Sequence, residues 1–209
     1  MSAITLYGTP TSGHSHRVEL LLLMLGRPYR FEVTPPAARR SPAFSAFNPL
    51  QQIPVLRDGD LVLQDSNAIL VYLAKRYDAG GLWLPEEPII AARVQRWLSI
   101  AAGEINYGPA RARAILQWKA PGDLAGATEI AGRALRFMDG HLDERTYLAT
   151  EERPTIADLA CYSYIAHAPE GGIPLKPYPA VREWLSRVEA LPRFKPMPRS
   201  PLPSAPSVA

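Results

Sequence analysis

Residues 3–33, AITLYGTPTSGHSHRVELLLLMLGRPYRFEV, decide the fold. Ala3 to Tyr7 is short and β-prone and runs directly into GTPTSG, the pattern of a strand entering a turn. Ser15 to Gly26 is rich in good helix formers and stops at Gly26-Arg27-Pro28, where Gly followed by Pro ends a helix. Tyr29 to Val33 alternates with period two, which predicts a half-buried strand lying parallel to the first after a helical crossover. Together these three segments make a βαβ unit.

Downstream, 35–52 is irregular, with room for one short helix around Ser41 to Phe47. Ile53-Pro54-Val55-Leu56 and Leu61-Val62-Leu63 flank Arg57-Asp58-Gly59-Asp60, and an Asp-Gly pair between apolar runs is a strong hairpin signal. Asp65-Ser66 then stands as a capping pair before the apolar helical stretch NAILVYLAKRY. The order is β-α-β-α-β-β-α over 1–79. Gly80-Gly81, Pro85 and Pro88 mark a linker over 80–88. From 89 to 209 the texture is helical, with apolar residues at helical spacing in 91–105, 127–145, 156–168 and 180–191. The fold class read from these patterns is an α/β N-terminal domain followed by an all-α domain.

The chain has 209 residues, enough to bury a core without disulfides. A composition 47% hydrophobic and 21% charged excludes a disordered or fibrous protein. Proline is the outlier, 22 residues in all, and many of them fall in PRFKPMPRSPLPSAPSVA after Leu191, which reads as a non-helical surface tail. Net charge is +3, with 8 basic against 6 acidic residues to Ala79 and 15 against 14 beyond it. That balance argues against a nucleic-acid or membrane-surface module. The single cysteine, Cys161, excludes an internal disulfide and any Cys-x-x-Cys pair, and its apolar surroundings make it a core residue. The longest apolar run, Leu20 to Leu25, is far short of the roughly 20 residues of a spanning helix. No basic and apolar leader is visible at the start, so a cytoplasmic protein is expected.

Thr11 to Arg17 lies between the first strand and the first helix, where unpaired N–H groups and the positive end of the helix dipole stabilise an anion such as a thiolate or phosphate. The simpler role for Ser12 or Ser15 there is an N-cap. Gly13-His14-Ser15 begins like the G-x-S-x-G elbow of a serine hydrolase, but Arg17 stands where the second Gly is needed. A metal on His14 and His16 is disfavoured, because residues two apart do not share a helix face. Thr155 and Asp158 fit a capping box. Tyr107, Trp118 and Tyr164 are aromatics available either to a pocket or to the core.

Four ordered segments, LYGTPTSGHSHRVELLL (6–22), NPLQQIPVL (48–56), LQDSNAILVYLA (63–74) and RPTIADLACYSYI (153–165), carry a resemblance that covers nearly the whole chain. The sequence resembles the cytosolic glutathione transferases, in particular their bacterial, zeta-like and theta-like serine type. The resemblance implies a thioredoxin-like N-terminal domain that binds glutathione as co-substrate, joined to an all-α domain that lines an apolar electrophile site. It implies no metal and a homodimer. Residue by residue, Ser12 matches the family's active-site serine. Ile53 precedes an expected cis-Pro54 and would pair its backbone with the cysteinyl unit of glutathione. Asp65 and Ser66 match the pair that holds the γ-glutamyl end, and Gln52 matches a glycyl-end contact. His14 stands where relatives carry Cys or Asn, either helping to hold the sulfur or solvated in the first turn. The activity implied is addition of the glutathione thiolate to an electrophile, with isomerisation, dehalogenation or non-catalytic binding as alternatives on the same fold.

Overall fold

The computed structural model describes residues 4–203. Strands β1 (Ile4–Gly8), β2 (Tyr29–Val33), β3 (Val55–Asp58) and β4 (Leu61–Gln64) form one sheet in the order β2-β1-β3-β4. The β1/β2 pair is parallel, as a helical crossover requires, and the other two pairs are antiparallel. Register places Leu6 opposite both Phe31 and Leu56, so alternate side chains of the central strand, Ile4 and Leu6, point into the core.

Helix α1 (Gly13–Met24) crosses between β1 and β2, and α4 (Ser66–Tyr77) follows the hairpin. The connection between β2 and β3 holds two short helices, α2 (Pro36–Arg39) and α3 (Pro42–Phe47). Of these only α3 is legible in sequence, through its Ser41 cap; the four residues of α2 are too few to show a period. Tyr72 and Tyr77 of α4 donate their hydroxyls to Asp58, which ties the helix to the hairpin.

The remaining described elements are helical: α5 (Pro88–Ala102), a π-helical turn over Asn106–Ala110, α6 (Arg111–Trp118), α7 (Leu124–Leu142), α8 (Ile156–Ala166), a 3-10 turn over Ala168–Gly171 and α9 (Pro179–Glu189). The π turn and α6 are absent from the sequence-based expectation. Pro109 lies inside the π turn, and a residue without an N–H favours the wider turn. Gly108 lets that turn sit directly on α7, since a Cβ there would stand 2.7 Å from the Ala131 nitrogen.

Helix α8 is the axis of this half. All of Ile156 to Ile165 are buried, Cys161 among them, and burial pushes its thiol well above the ordinary range. Thr155 and Asp158 form the expected capping box, and Asp158 also accepts from the Leu148 N–H at 3.0 Å and from Trp184 Nε1 at 2.9 Å. The α1 helix is packed on two sides, against α4 and β1 of its own sheet layer and against α8. This explains why nine of its twelve residues are buried and why it shows no amphipathic stripe.

The proline-rich segment after Leu191 is non-helical and mostly exposed, as expected, but it is pinned at several points. The Lys195 carbonyl accepts from His16 Nε2 at 2.7 Å, the Lys195 ammonium meets Glu19 at 2.7 Å, and Met197 is buried. The final part of the tail, 204–209, lies outside the described residues.

Two predictions follow from buried polar groups. Asp158→Ala strips partners from the Leu148, Thr155 and Trp184 N–H groups at once, and each unsatisfied buried donor costs about 1–3 kcal/mol. Denaturant unfolding should show a loss of at least about 3 kcal/mol. His16 is buried between Ser163 and Lys195, and burial lowers its pKa to about 4 from 6.5. Between those values the unfolded chain binds the proton and the folded one does not. The stabilisation is therefore complete above pH 6.5 and is lost as pH falls toward 4. At about 1.36 kcal/mol per unit the loss is on the order of 3 kcal/mol. His16→Gln, followed by urea unfolding across that range, should flatten the slope.

Candidate active site

The N-termini of α1 and α4 open onto one cleft of about 770 Å³, and Ser12, His14, Gln52, Ile53, Pro54, Asp65 and Ser66 all line it. The seven positions singled out in the sequence, scattered over 55 residues, are thus brought to a single place. The opposite wall comes from the helical half: Ala102 at the end of α5, Asn106 and Ala110 of the π turn, Arg113, Ala114 and Trp118 of α6, and Tyr164 of α8. Tyr107, one of the aromatics considered for a pocket, is exposed and does not line it.

Ser12 caps α1, its Oγ accepting the Ser15 N–H at 3.3 Å. No acidic residue lies in the first turn of α1, so its positive end is not neutralised by its own sequence. Ser15, the nucleophile of the hydrolase alternative, is buried instead against Gly8, where a Cβ would come within 2.4 Å of its Oγ. Asp65 is exposed at the cleft rim and caps α4 through Oδ1, which accepts from the N–H groups of Asn67 and Ala68 at 2.9 Å. Its backbone has φ 68° and ψ 121°, an outlying conformation for a residue with a side chain, held at the edge of the cleft. Ile53-Pro54 is cis, and the loop before it is braced by Asn48 Nδ2 donating to the Gln52 carbonyl at 2.9 Å.

His14 is not a solvated first-turn residue. Its Nδ1 lies 3.3 Å from Ser66 Oγ and its Nε2 lies 3.3 Å from Asn106 Oδ1. Burial first, and the nearby Arg17 charge second, lower its pKa to about 3, so the ring is neutral at physiological pH. Ser66 Oγ already accepts from Arg17 Nη1, which leaves its proton for His14 Nδ1; His14 then donates from Nε2 to Asn106. Both ring nitrogens are committed, and the ring bridges the two halves of the cleft.

Arg17, in the sequence only the last residue of the stretch from Thr11 to Arg17 and not itself a site candidate, is the most unusual group at the site. It is fully buried on the cleft floor, and Nη1 donates to Ser66 Oγ at 3.3 Å and Asn67 Oδ1 at 2.9 Å, both uncharged. Its Nε and Nη2 have no hydrogen-bond partner among the described residues. Burying a cation is costly, here offset in part by the nearby Asp65 charge, and a buried unsatisfied donor calls for an explanation. Its signal in sequence is a lone Arg opening the apolar run RVELLLL. Arg113 is also buried but fully engaged: Nε donates to Glu170 at 2.6 Å and Nη1 to the Thr11 carbonyl at 2.8 Å. It holds the loop before Ser12 from the far side, and its guanidinium lies 4.8 Å from the centre of the Trp118 ring. Neither Arg113 nor Asn106 had a sequence signal, because the π turn breaks the helical period there.

Among the described residues no cluster of His, Cys, Asp and Glu could hold a metal ion, and no helix is long and apolar enough to cross a membrane.

Comparison with known proteins agrees with this architecture. Residues 6–82 match the family described as glutathione S-transferase, N-terminal domain, and 122–192 match glutathione S-transferase, C-terminal domain. Glutathione S-transferase 3 of Zea mays is 32% identical over 99% of both chains. Bovine glutathione S-transferase theta-1 is 31% identical over 72% of this chain and 66% of its own length. The crystal structure of a Pseudomonas fluorescens glutathione S-transferase superposes with a TM-score of 0.87 at 33% identity, covering 94% of this chain and 99% of that one. A glutathione transferase homologue from Drosophila mojavensis, solved with bound glutathione, gives 0.83 at 26% identity over 92% of this chain and 90% of that one. With both domains matched in order and a relative aligned from end to end, this chain belongs to the cytosolic glutathione transferase family of enzymes.

Proposed function

We propose that the enzyme binds glutathione in this cleft and adds its thiolate to a small apolar electrophile. The observation that carries the proposal is a cleft framed by the N-termini of α1 and α4, on which the site residues read from the sequence converge above the buried Arg17 charge, a site prepared for an anion. A thiol with a reference pKa of about 8.5 is mostly protonated at neutral pH, and such a site favours the thiolate. Ser12 donates its hydroxyl to the sulfur. Ile53 pairs its backbone with the cysteinyl unit beside cis-Pro54. Ser66 and the free Oδ2 of Asp65 take the γ-glutamyl end, and Gln52 faces the glycyl end, where Arg39 also lines the cleft. His14 acts indirectly, by fixing Ser66 and Asn106. The bound glutathione of the Drosophila mojavensis homologue supports the choice of co-substrate.

The electrophile would enter between these groups and the helical half, where Ala102, Ala110, Ala114 and Trp118 form an apolar wall. The same thiolate would serve isomerisation or dehalogenation, as in zeta-like relatives, and binding without turnover would mark a glutathione-binding protein. The proposal keeps the glutathione domain at 1–79, the linker at 80–88 and the helical domain from 89. It also includes a cytoplasmic homodimer.

Calorimetry with glutathione, beside a panel of aromatic halides, epoxides and enones, tests the proposal: binding and turnover of at least one class are expected, and no binding would refute it. Ser12→Ala should keep glutathione affinity within about tenfold. A lost hydrogen bond to a charged group is worth about 1.5–3 kcal/mol and a pKa unit about 1.36, so the bound thiol should titrate about one to two units higher. Asp65→Asn keeps an N-cap and tolerates the positive φ, yet removes the charge. It should leave the melting temperature in place and weaken glutathione binding about fivefold, or about 1 kcal/mol, while Glu144→Ala changes neither.

A further inference from the structure

The peptide that joins Thr11 to Ser12 is held at both of its polar atoms. The Ser12 N–H donates to the Thr9 carbonyl at 3.0 Å, and the Thr11 carbonyl accepts from Arg113 Nη1 of α6 at 2.8 Å. With donor and acceptor both committed, the plane of that peptide is fixed, and with it the direction in which the Ser12 side chain leaves the backbone. The first contact is local to the turn. The second spans 102 positions and comes from the helical half.

Arg113 can hold that carbonyl because its guanidinium is itself fixed by its neighbours. Nε donates to Glu170 Oε2 at 2.6 Å, Nη2 lies 3.4 Å from Ser200 Oγ, and the centre of the Trp118 ring lies 4.8 Å from Cζ. Glu170 is held in turn, its Oε1 accepting from His167 Nδ1 at 2.6 Å and from the Ser200 N–H at 3.0 Å. Burial works to raise the Glu170 carboxyl, but those donors and Arg113 keep it below the ordinary carboxylate range, so it is ionised and matches the arginine. Gly171 lets the 3-10 turn that carries Glu170 lie directly on α6, since a Cβ there would stand 2.7 Å from the Arg113 backbone nitrogen. A buried ion pair is by itself weak evidence for stability. This one orients a guanidinium whose second hydrogen bond enters the loop that carries Ser12.

We propose that Arg113 is a positioning residue for the thiolate chemistry: set by Glu170, it fixes the peptide between Thr11 and Ser12 so that the Ser12 hydroxyl meets the glutathione sulfur. The inference rests on the glutathione reading given above and adds a residue to it. Arg113 also lines the cleft, but Glu170 matches its charge, so its effect runs through the Thr11 carbonyl and not through direct attraction of the thiolate. A planar fork with nitrogens at fixed spacing serves a carboxylate and a carbonyl at once, whereas an ammonium is a point charge on a flexible stem and does not hold both in that geometry. The other charged or titratable groups around Ser12 and Arg113 are His14 and Arg17 of α1, Arg39 of α2, Asp65 at the start of α4, Tyr164 of α8 and His167 just beyond it.

The test is a double-mutant cycle read by thiolate absorbance of bound glutathione against pH, in the parent, Arg113→Lys, Ser12→Ala and the double variant. Lys keeps a cation beside Glu170 and loses the fork. The affinity for S-methylglutathione, which has no ionisable thiol, should therefore stay within about twofold of the parent. Arg113→Lys should raise the bound-thiol pKa by about half a unit to one unit, less than the loss of Ser12 itself, with kcat falling at neutral pH and KM for glutathione little changed. In the Ser12→Ala background it should add nothing. An Arg113→Lys profile coincident with the parent overturns the proposal, because the charge alone would then suffice. A shift that persists without Ser12 overturns it too, because Arg113 would then act on the sulfur independently. In either case retained S-methylglutathione binding leaves the functional reading standing, whereas a parent that binds neither glutathione nor S-methylglutathione overturns both. Should Arg113→Lys lower the melting temperature, the paired change Arg113→Gln with Glu170→Gln removes both buried charges together and still loses the reach to Thr11; the same upward shift is expected of it, and an unmoved thiol pKa overturns the proposal.

Discussion

The structure depends on the burial of α1 from two sides. A helix with an apolar face on one side would belong to the sheet layer alone. The run RVELLLLM instead packs against β1 and α4 on one side and α8 on the other, so neither half is complete without it. The N-terminus of that helix is then necessarily at the seam, where the sheet layer supplies Ser12, Ile53 and Asp65 and the helical half supplies Asn106, Arg113 and Tyr164. The cleft is a consequence of how α1 is buried.

Burying α1 also buries Arg17, and this is where stability and function part. An aliphatic side chain at that position would pack without the desolvation of a charge, and replacing buried charges by well-packed apolar groups is often neutral or stabilising. Retaining a guanidinium instead puts a positive charge beneath the two helix N-termini that face the cleft. Among the neighbouring groups His14 is neutral, the first turn of α1 has no acid and Arg113 is matched by Glu170, while the Asp65 carboxylate stands at the cleft rim. The positive potential is left for the ligand.

Local signals made much of this legible. The strand, turn and helix of residues 4–24, the Asp-Gly hairpin, the Asp65 and Thr155 caps and the core position of Cys161 follow from short-range patterns, and the structure carries each of them. The cis bond at Ile53-Pro54 came from resemblance, since spacing alone favours trans. What escaped was non-local or aperiodic. The π turn at Asn106 interrupts the helical period, α2 is one turn long, and the packing of the Tyr164 ring on Gly13 joins residues 151 positions apart. The pinning of the proline-rich segment escaped as well, because the hydrogen bonds by which the Lys195 carbonyl accepts from His16 and the Ser200 N–H donates to Glu170 leave no trace in composition.

The central claim is that the seam of the two halves is an anion site that ionises a bound thiol. Its most direct test is the pH titration of thiolate absorbance for glutathione bound to the unaltered protein, against glutathione free in solution. The account predicts a bound-thiol pKa at least about one unit below the reference value near 8.5. Coincident bound and free titrations would contradict it.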